Sequence, residues 1–278
     1  MRLLKISFTL VGLFLIVFSF MTVSYTGYGV KENALKKPYI NKSVVNTSVK
    51  GLVSFTFDDG LLTFYTKVYP SMKARGLNGT VYVLANWTEN NGRFENRDLL
   101  NFPQMREMQA NGWEVGSHSL KHKKLTSLSD PELMEELQLS KIILEQNGLN
   151  ITSVAFPGGY FDDRIVSTSS KYYQTSRPLF LGYNEKTNID WHRLRSRWVM
   201  GANYNGDVCS WIAYAKEKDY WLILTLHNVE ENKSTLWDTS LYDFNEILKC
   251  TVEMGVPVKT IREVAKEYLN VSSKIKIN

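Results

Sequence analysis

From Gly51 onward the chain repeats one pattern: a short apolar run, a turn, then a stretch with helical periodicity. Leu52 to Phe57, Thr80 to Leu84, Trp113 to Gly116 and Ile151 to Phe156 are too short for buried helices and suit buried strands. Between them, the amphipathic residues 62–75 stop at Gly76, and residues 98–110 stop near Asn111-Gly112. Ser129-Asp130-Pro131-Glu132 offers an N-cap, an early proline and an acidic first turn. The helix it opens carries Leu133, Leu137, Ile142 and Leu144 and ends at Asn147-Gly148. Further strands are predicted near Tyr173–Ser176, Arg193–Val199, Trp221–Leu226 and Val256–Thr260, with helices near 206–218, 241–254 and 261–269. Such alternation predicts an α/β fold with parallel strands, as a barrel or an open sheet. About 220 residues suit one α/β barrel domain.

The chain ahead of this pattern has a different character. Arg2 and Lys5 precede an uncharged apolar stretch, Ile6 to Ser24, which fits a secretory signal peptide or an uncleaved membrane anchor. Positive charge before the segment predicts that the remainder lies outside the cytoplasm, anchored or secreted. The expected organisation is therefore a signal peptide or membrane anchor over 1–24, a polar tether over 25–50, a single α/β domain over 51–270 and a tail over 271–278. Asn-x-Ser/Thr triplets at Asn41, Asn46, Asn78, Asn86, Asn150, Asn232 and Asn270 agree weakly with an exterior location. Cys209 and Cys250 are the two cysteines; they could pair in an oxidising compartment, and since neither sits in a Cys-x-x-Cys pair a thiolate metal site is not expected. A net charge of +5 without a long basic run gives no support to nucleic-acid binding.

In a parallel barrel, functional residues gather where strands end. The first predicted strand runs into Asp58-Asp59-Gly60, and the third into Ser117-His118, with His122 four residues on. The fourth runs into Pro157-Gly158-Gly159-Tyr160, and Trp221–Leu226 runs into His227-Asn228. Taken singly, each is ordinary. Asp-Asp-Gly makes turns, a lone histidine satisfies a core, and Pro-Gly-Gly is a loop. Together they bring a carboxylate and two imidazoles to one face, with positions left for water and substrate, and zinc is the first choice for that donor set. His-x-x-x-His is expected on a helical turn, where residues four apart face the same way. A second carboxylate and a third imidazole beside the metal would complete the parts for metal-assisted hydrolysis.

Thr56-Phe57-Asp58-Asp59-Gly60, His118-Ser119-Leu120-Lys121-His122 and Leu224-Thr225-Leu226-His227 resemble the signature segments of the polysaccharide deacetylase family, the NodB-homology group or carbohydrate esterase family 4. The resemblance runs in order over residues 51–265. It implies a distorted (β/α) barrel of about seven parallel strands. It also implies one divalent metal ion, commonly zinc with cobalt or manganese as alternatives, and removal of acetyl groups from N-acetylated, sometimes O-acetylated, carbohydrate. Carried over by position, Asp58 is the catalytic base, His227 the catalytic acid, and Asp59, His118 and His122 the metal ligands. Pro157 and Gly158 fall in the loop expected to hold substrate and the oxyanion. The implied partner is an acetylated glycan, with the membrane as a second partner if the leader is uncleaved.

One segment departs from the family pattern. An Arg-x-Pro-aromatic segment usually follows the fourth strand, its arginine orienting the base; here the stretch reads Ala155-Phe156-Pro157-Gly158. Arg193, Arg195 and Arg197 alternate along a predicted strand and would share one face, either the barrel interior, where one could replace that arginine, or solvent. Two rival readings follow: a deacetylase-like protein that only binds sugar, and a metal-dependent amidase of the same fold acting on a small non-sugar C–N bond.

Overall fold

The strand Leu52–Phe57 (β1) shows how one stretch builds two faces. Successive side chains point to opposite sides of a strand. Val53, Phe55 and Phe57 accordingly enter the large core between sheet and helices, while Leu52 joins a smaller cluster with Trp221, Ile223, Leu194, Ile261 and Val264 inside the barrel. The structure is a computed structural model and describes residues 50–86, 92–200, 205–233 and 235–275. The expected leader, and the tether as far as residue 49, lie outside those residues. Among the described residues no helix is long and apolar enough to cross a membrane.

Among the described residues eight strands form the main sheet: β1, Thr80–Val83 (β2), Glu114–Ser117 (β3), Ser153–Ala155 (β4), Thr175–Arg177 (β5), Asn184–Glu185 (β6), Arg197–Trp198 (β7) and Tyr220–Leu226 (β8). Their order is β5-β4-β3-β2-β1-β8-β6, with β7 also on β8. Seven run parallel, as the resemblance implies, and β6 is antiparallel to β8. The gap between β5 and β8 is crossed irregularly. Ser176 N–H donates to the Trp191 carbonyl at 2.8 Å, Leu194 N–H donates to the Ser176 carbonyl at 3.1 Å, and β7 then pairs with β8. The strand expected over Arg193–Val199 is thus regular only at Arg197–Trp198, because its first half bonds β5 at a single residue. The expected Val256–Thr260 strand reduces to one bridge, Val258 to Val53.

Among the described residues seven helices cover the sheet: Tyr69–Lys73 (α1), Phe102–Ala110 (α2), Asp130–Gln146 (α3), Asp163–Ser169 (α4), Asn205–Lys218 (α5), Leu241–Glu253 (α6) and Ile261–Ile275 (α7). Capping boxes at Asn101/Gln104 and Ser129/Glu132 start α2 and α3, satisfying the free N–H groups of their first turns. The helix expected over 62–75 is instead a π turn, Phe64–Val68, leading into α1. Pro70 has no N–H to continue a regular ladder through it. The last helix runs past the expected boundary at 270 to Ile275. Cys209 on α5 and Cys250 on α6 form a disulfide with a Cα–Cα distance of 6.1 Å. Their separation of 41 residues corresponds to about 4 kcal/mol of unfolded-chain entropy in the loop-closure model.

Candidate active site

Strand parity delivers the reactive residues to one place. On β1 the inward row is Leu52, Ser54 and Thr56, and its next member, past the strand end, is Asp58. On β8 it is Trp221, Ile223 and Thr225, followed by His227. On β3 it is Glu114 and Gly116, followed by His118. Thr56 Oγ1 and Thr225 Oγ1 touch across β1 and β8 at 3.2 Å, one step below Asp58 and His227. Gly116 leaves room in this row: a Cβ there would lie 2.6 Å from the Tyr82 ring.

Asp59 leaves the strand row by adopting a left-handed backbone, φ 73°, which a non-glycine residue takes only where its surroundings enforce it. Its Oδ1 lies 3.5 Å from His118 Nε2 and 3.4 Å from His122 Nε2. One ligand atom from each of the three residues falls within 4.8 Å of the others. The two histidines meet through an irregular loop, not the helical turn expected from their spacing. Ser119 (φ 68°) and His122 (φ 57°) are also left-handed. Ser117 Oγ accepts from Ser119 N–H, Ser119 Oγ accepts from His122 N–H, and the buried Glu136 carboxylate accepts from both Leu120 and Lys121 N–H. His118 Nδ1–H donates to the Ala155 carbonyl at 3.0 Å, which fixes the tautomer and leaves the Nε2 lone pair facing Asp59. Two imidazole nitrogens and a carboxylate oxygen converging without a bridging group fit a divalent cation.

Burial pushes Asp59 up, but its contacts with His118 and His122 outweigh it and hold the carboxyl far below its ordinary range. Burial likewise opposes ionisation of Asp58, and the Arg177 guanidinium, helped by His118 and His227, holds it below its usual value. For His118, burial acts downward, yet the two aspartates win and raise it.

Arg177, the last residue of β5, is the functional group missed in the sequence. Its Nη2 donates to both Asp58 carboxylate oxygens at 2.6 Å, its side chain is 2% exposed, and its guanidinium lies over the Tyr82 ring at 5.3 Å. The strand was expected to end at Ser176; one residue more would have brought Arg177 under the same strand-exit rule. Arg193, Arg195 and Arg197 do not replace the family arginine. Their alternation is real, but Leu194 and Ser196 occupy the buried positions and the arginines face outward.

His227 stands at the exit of β8 with Nε2 3.9 Å from Asp58 Oδ2. Among the described residues its buried Nδ1 has no hydrogen-bond partner, and its ring packs against Trp198 and Trp237 at 5.8 and 5.0 Å. Burial lowers its pKa, more than Asp58 and Asp59 raise it. In the fourth-strand loop Pro157 is buried and Gly158 is exposed in a left-handed turn, φ 61°. Ala155, two residues before, holds His118.

These elements define an α/β barrel protein with a candidate divalent-metal centre at the carboxyl ends of its strands. Over residues 46–175 the sequence matches the model of the polysaccharide deacetylase family. Chitin deacetylase from Colletotrichum lindemuthianum is 28% identical over 99 residues, 36% of this chain and 38% of that protein. The chain spans about two fifths of the length of the curated relatives it matches. Among solved structures, the Xyl-CE4 domain of a multidomain xylanase from the hindgut metagenome of Trinervitermes trinervoides aligns with a TM-score of 0.54 at 15% identity, covering 78% of this chain and 91% of that one. A CE4 family pseudoenzyme from Bacillus anthracis aligns with a TM-score of 0.53 at 16% identity, covering 78% and 66%. The fold therefore houses both active and inactive members, and the side chains must decide between them.

Proposed function

We propose that the protein is a metal-dependent deacetylase of N-acetylated, or O-acetylated, carbohydrate, with Asp59, His118 and His122 as metal ligands, Asp58 as base and His227 as acid. The observation that carries this reading is the Asp58 carboxylate clamped by Arg177 beside a three-ligand cluster. A protein that merely held sugar would have no use for a second buried carboxylate kept ionised next to an imidazole.

The chemistry a divalent cation supplies at this cluster is Lewis acidity, which lowers the pKa of water toward neutrality and polarises an acyl oxygen. Zinc suits the donors best, with cobalt and manganese as alternatives. Arg177 does two things for Asp58: it fixes the carboxylate beside the three-ligand cluster and keeps it deprotonated, ready to accept the proton of the attacking water. His227 then protonates the departing amine. Because burial disfavours its imidazolium, His227 acquires that proton within the cycle, and Asp58 at 3.9 Å is the adjacent source. A backbone N–H of the Pro157-Gly158 loop is assigned to the oxyanion.

The Cys209–Cys250 disulfide supports an oxidising, extracytoplasmic setting, where acetylated polymers are met. Acetate release from N-acetylglucosamine oligomers, set against ammonia or amine release from small non-sugar amides, tests the substrate class. Turnover confined to the small amides would favour the amidase reading and overturn this one. Binding of the oligomers without turnover of either would leave only the sugar-binding protein.

A further inference from the structure

The three alternating arginines have no part in the reaction above, and what they line is an open groove of about 1040 Å³ on the flank of the barrel. Their positions on β7 and the stretch before it form one wall, and Trp211 and Tyr214 of α5 stand in the groove with them. The three are not equivalent. Arg193 is neutralised by Asp163 at 2.7 Å and Asp190 at 3.2 Å, as an arginine serving structure would be. Arg195 lies 3.8 Å above the Phe180 ring and donates only to the Leu181 carbonyl. The Arg197 guanidinium stacks on Tyr183 and Trp211, 4.8 Å from each, and its Nε is buried without a hydrogen-bond partner. Among the described residues, neither Arg195 nor Arg197 has a carboxylate within ion-pair reach.

Cations already stripped of part of their water and held rigid by aromatic rings, yet lacking an anion, are prepared for one. Stacking orders the guanidinium fork in advance, so less entropy is lost when it closes on a carboxylate. The rest of the groove says what carries that carboxylate. Tyr183, Tyr214 and Tyr220 form a cluster with ring centroids 5.1 to 6.2 Å apart, and Tyr214 is 43% exposed. Such rings offer flat apolar faces edged by hydroxyls, the counterpart of a pyranose with its C–H faces and hydroxyl rim. A volume at the upper end of small-molecule sites has room for several linked rings. We infer that this groove is a second saccharide site, separate from the metal cluster, that binds an acidic oligosaccharide through carboxylate–guanidinium contacts at Arg195 and Arg197 and ring contacts at the tyrosine cluster. Trp198, the residue after Arg197, packs against His227, so one short strand contributes a side chain to the groove and another to the surroundings of the candidate active site. The inference takes its ligand class from the deacetylase reading but is tested without catalysis.

The full chain is titrated by calorimetry with hexagalacturonate, which carries a carboxylate on every ring, and with maltohexaose as the neutral control. Hexagalacturonate should bind at least roughly tenfold more tightly than maltohexaose, and should weaken as salt screens the contact. Arg197→Gln should lose roughly tenfold in affinity, and Tyr214→Ala, at an exposed position, should lose several-fold with its melting temperature unchanged. If Arg197→Gln melts early, Arg195→Gln and Tyr214→Ala decide. Asp58→Asn should bind hexagalacturonate as the parent does. Equal affinity for the acidic and neutral hexamers, no binding of either, or groove variants that bind like the parent would each overturn the groove. Acetate release from short neutral oligomers by the Tyr214→Ala variant should match the parent. A protein that fails to release acetate yet binds uronate through Arg197 would overturn the deacetylase reading and spare the groove.

Discussion

Glu114 and His118 sit four residues apart at opposite ends of β3, and the two ends of this strand are built to opposite rules. At the lower end every contact of the buried Glu114 carboxylate is met. One oxygen accepts from Ser153 Oγ at 2.6 Å, and the other from Thr80 Oγ1 at 3.1 Å and from Arg262 N–H at 2.7 Å. It thereby caps the start of α7, while the Arg262 side chain reaches across to Thr152 Oγ1 and the Asn150 carbonyl. At the upper end, two carboxylates and three imidazoles crowd together, three residues hold left-handed backbones, and both His227 Nδ1 and Arg177 Nε are buried without partners. One network closes the barrel; the other stores unmet polar demand. The contrast teaches that burial of charge is not one phenomenon. Hydrogen-bonding demand is met within the protein at Glu114, and is left open at His227 and Arg177.

Substitutions can break this contrast from either side. The largest effect is expected on activity. Asp58→Asn should lower acetate release about 10²- to 10⁴-fold, the range for a lost general base, while bound metal stays unchanged. Loss of the metal together with activity would mean that Asp58 is a ligand, and the two aspartates would have to exchange roles. Next comes Arg177→Met. Removing one member of a buried ion pair leaves an uncompensated charge and costs about 3–5 kcal/mol, read by urea denaturation. Adding Asp58→Asn to it should return most of that stability. A double variant no better than the single would show that Arg177 acts through packing instead.

Glu114→Ala tests the other end. Deserted N–H and O–H donors should cost roughly 2–3 kcal/mol, with metal content and acetate release from the folded fraction unaltered. The smallest effect lies in pH dependence, where the two ends should have opposite signs. Asp58 is held below its ordinary 3.8, so its contribution is present above that value and lost as pH falls through the folded pKa. Glu114 is raised above its ordinary 4.5, chiefly by burial. Between its unfolded and folded values the native chain keeps a proton that the unfolded chain has lost, so its contribution falls as pH rises. Glu114→Gln should flatten the slope above 4.5, and Asp58→Asn the slope below 3.8. Denaturation curves that shift in parallel for both variants would contradict the assignment.

The legible part of the site was its local part. Asp58, His118 and His227 each stand where a strand ends, and period-two alternation carries them to a common face, with Asp59 and His122 one and four residues further along the same exits. Arg177 was hidden because nothing local ties residue 177 to residue 58; their meeting depends on β5 lying at the far edge of the sheet. The left-handed turns that join His118 to His122 were hidden too, since they rest on Glu136 of α3 as well as on the loop's own serines. With the arginine stretch, the period was legible and the direction was not. Alternation between Arg and Leu or Ser fixes which residues share a face; only the neighbouring strands decide which face is covered. The two-residue strands Arg93–Phe94 and Arg97–Asp98 escaped for a simpler reason, being too short to show a period.

The account stands or falls on whether Asp59, His118 and His122 bind a cation that the reaction requires. The direct measurement is metal content and acetate release on the same dialysed sample of the full chain, before and after chelation and after zinc is restored. The expected result is one divalent ion per chain, with acetate release that stops on chelation and returns with zinc, and no retained ion in His118→Ala. Acetate release that ignores chelation, or an ion that His118→Ala still holds, would contradict it.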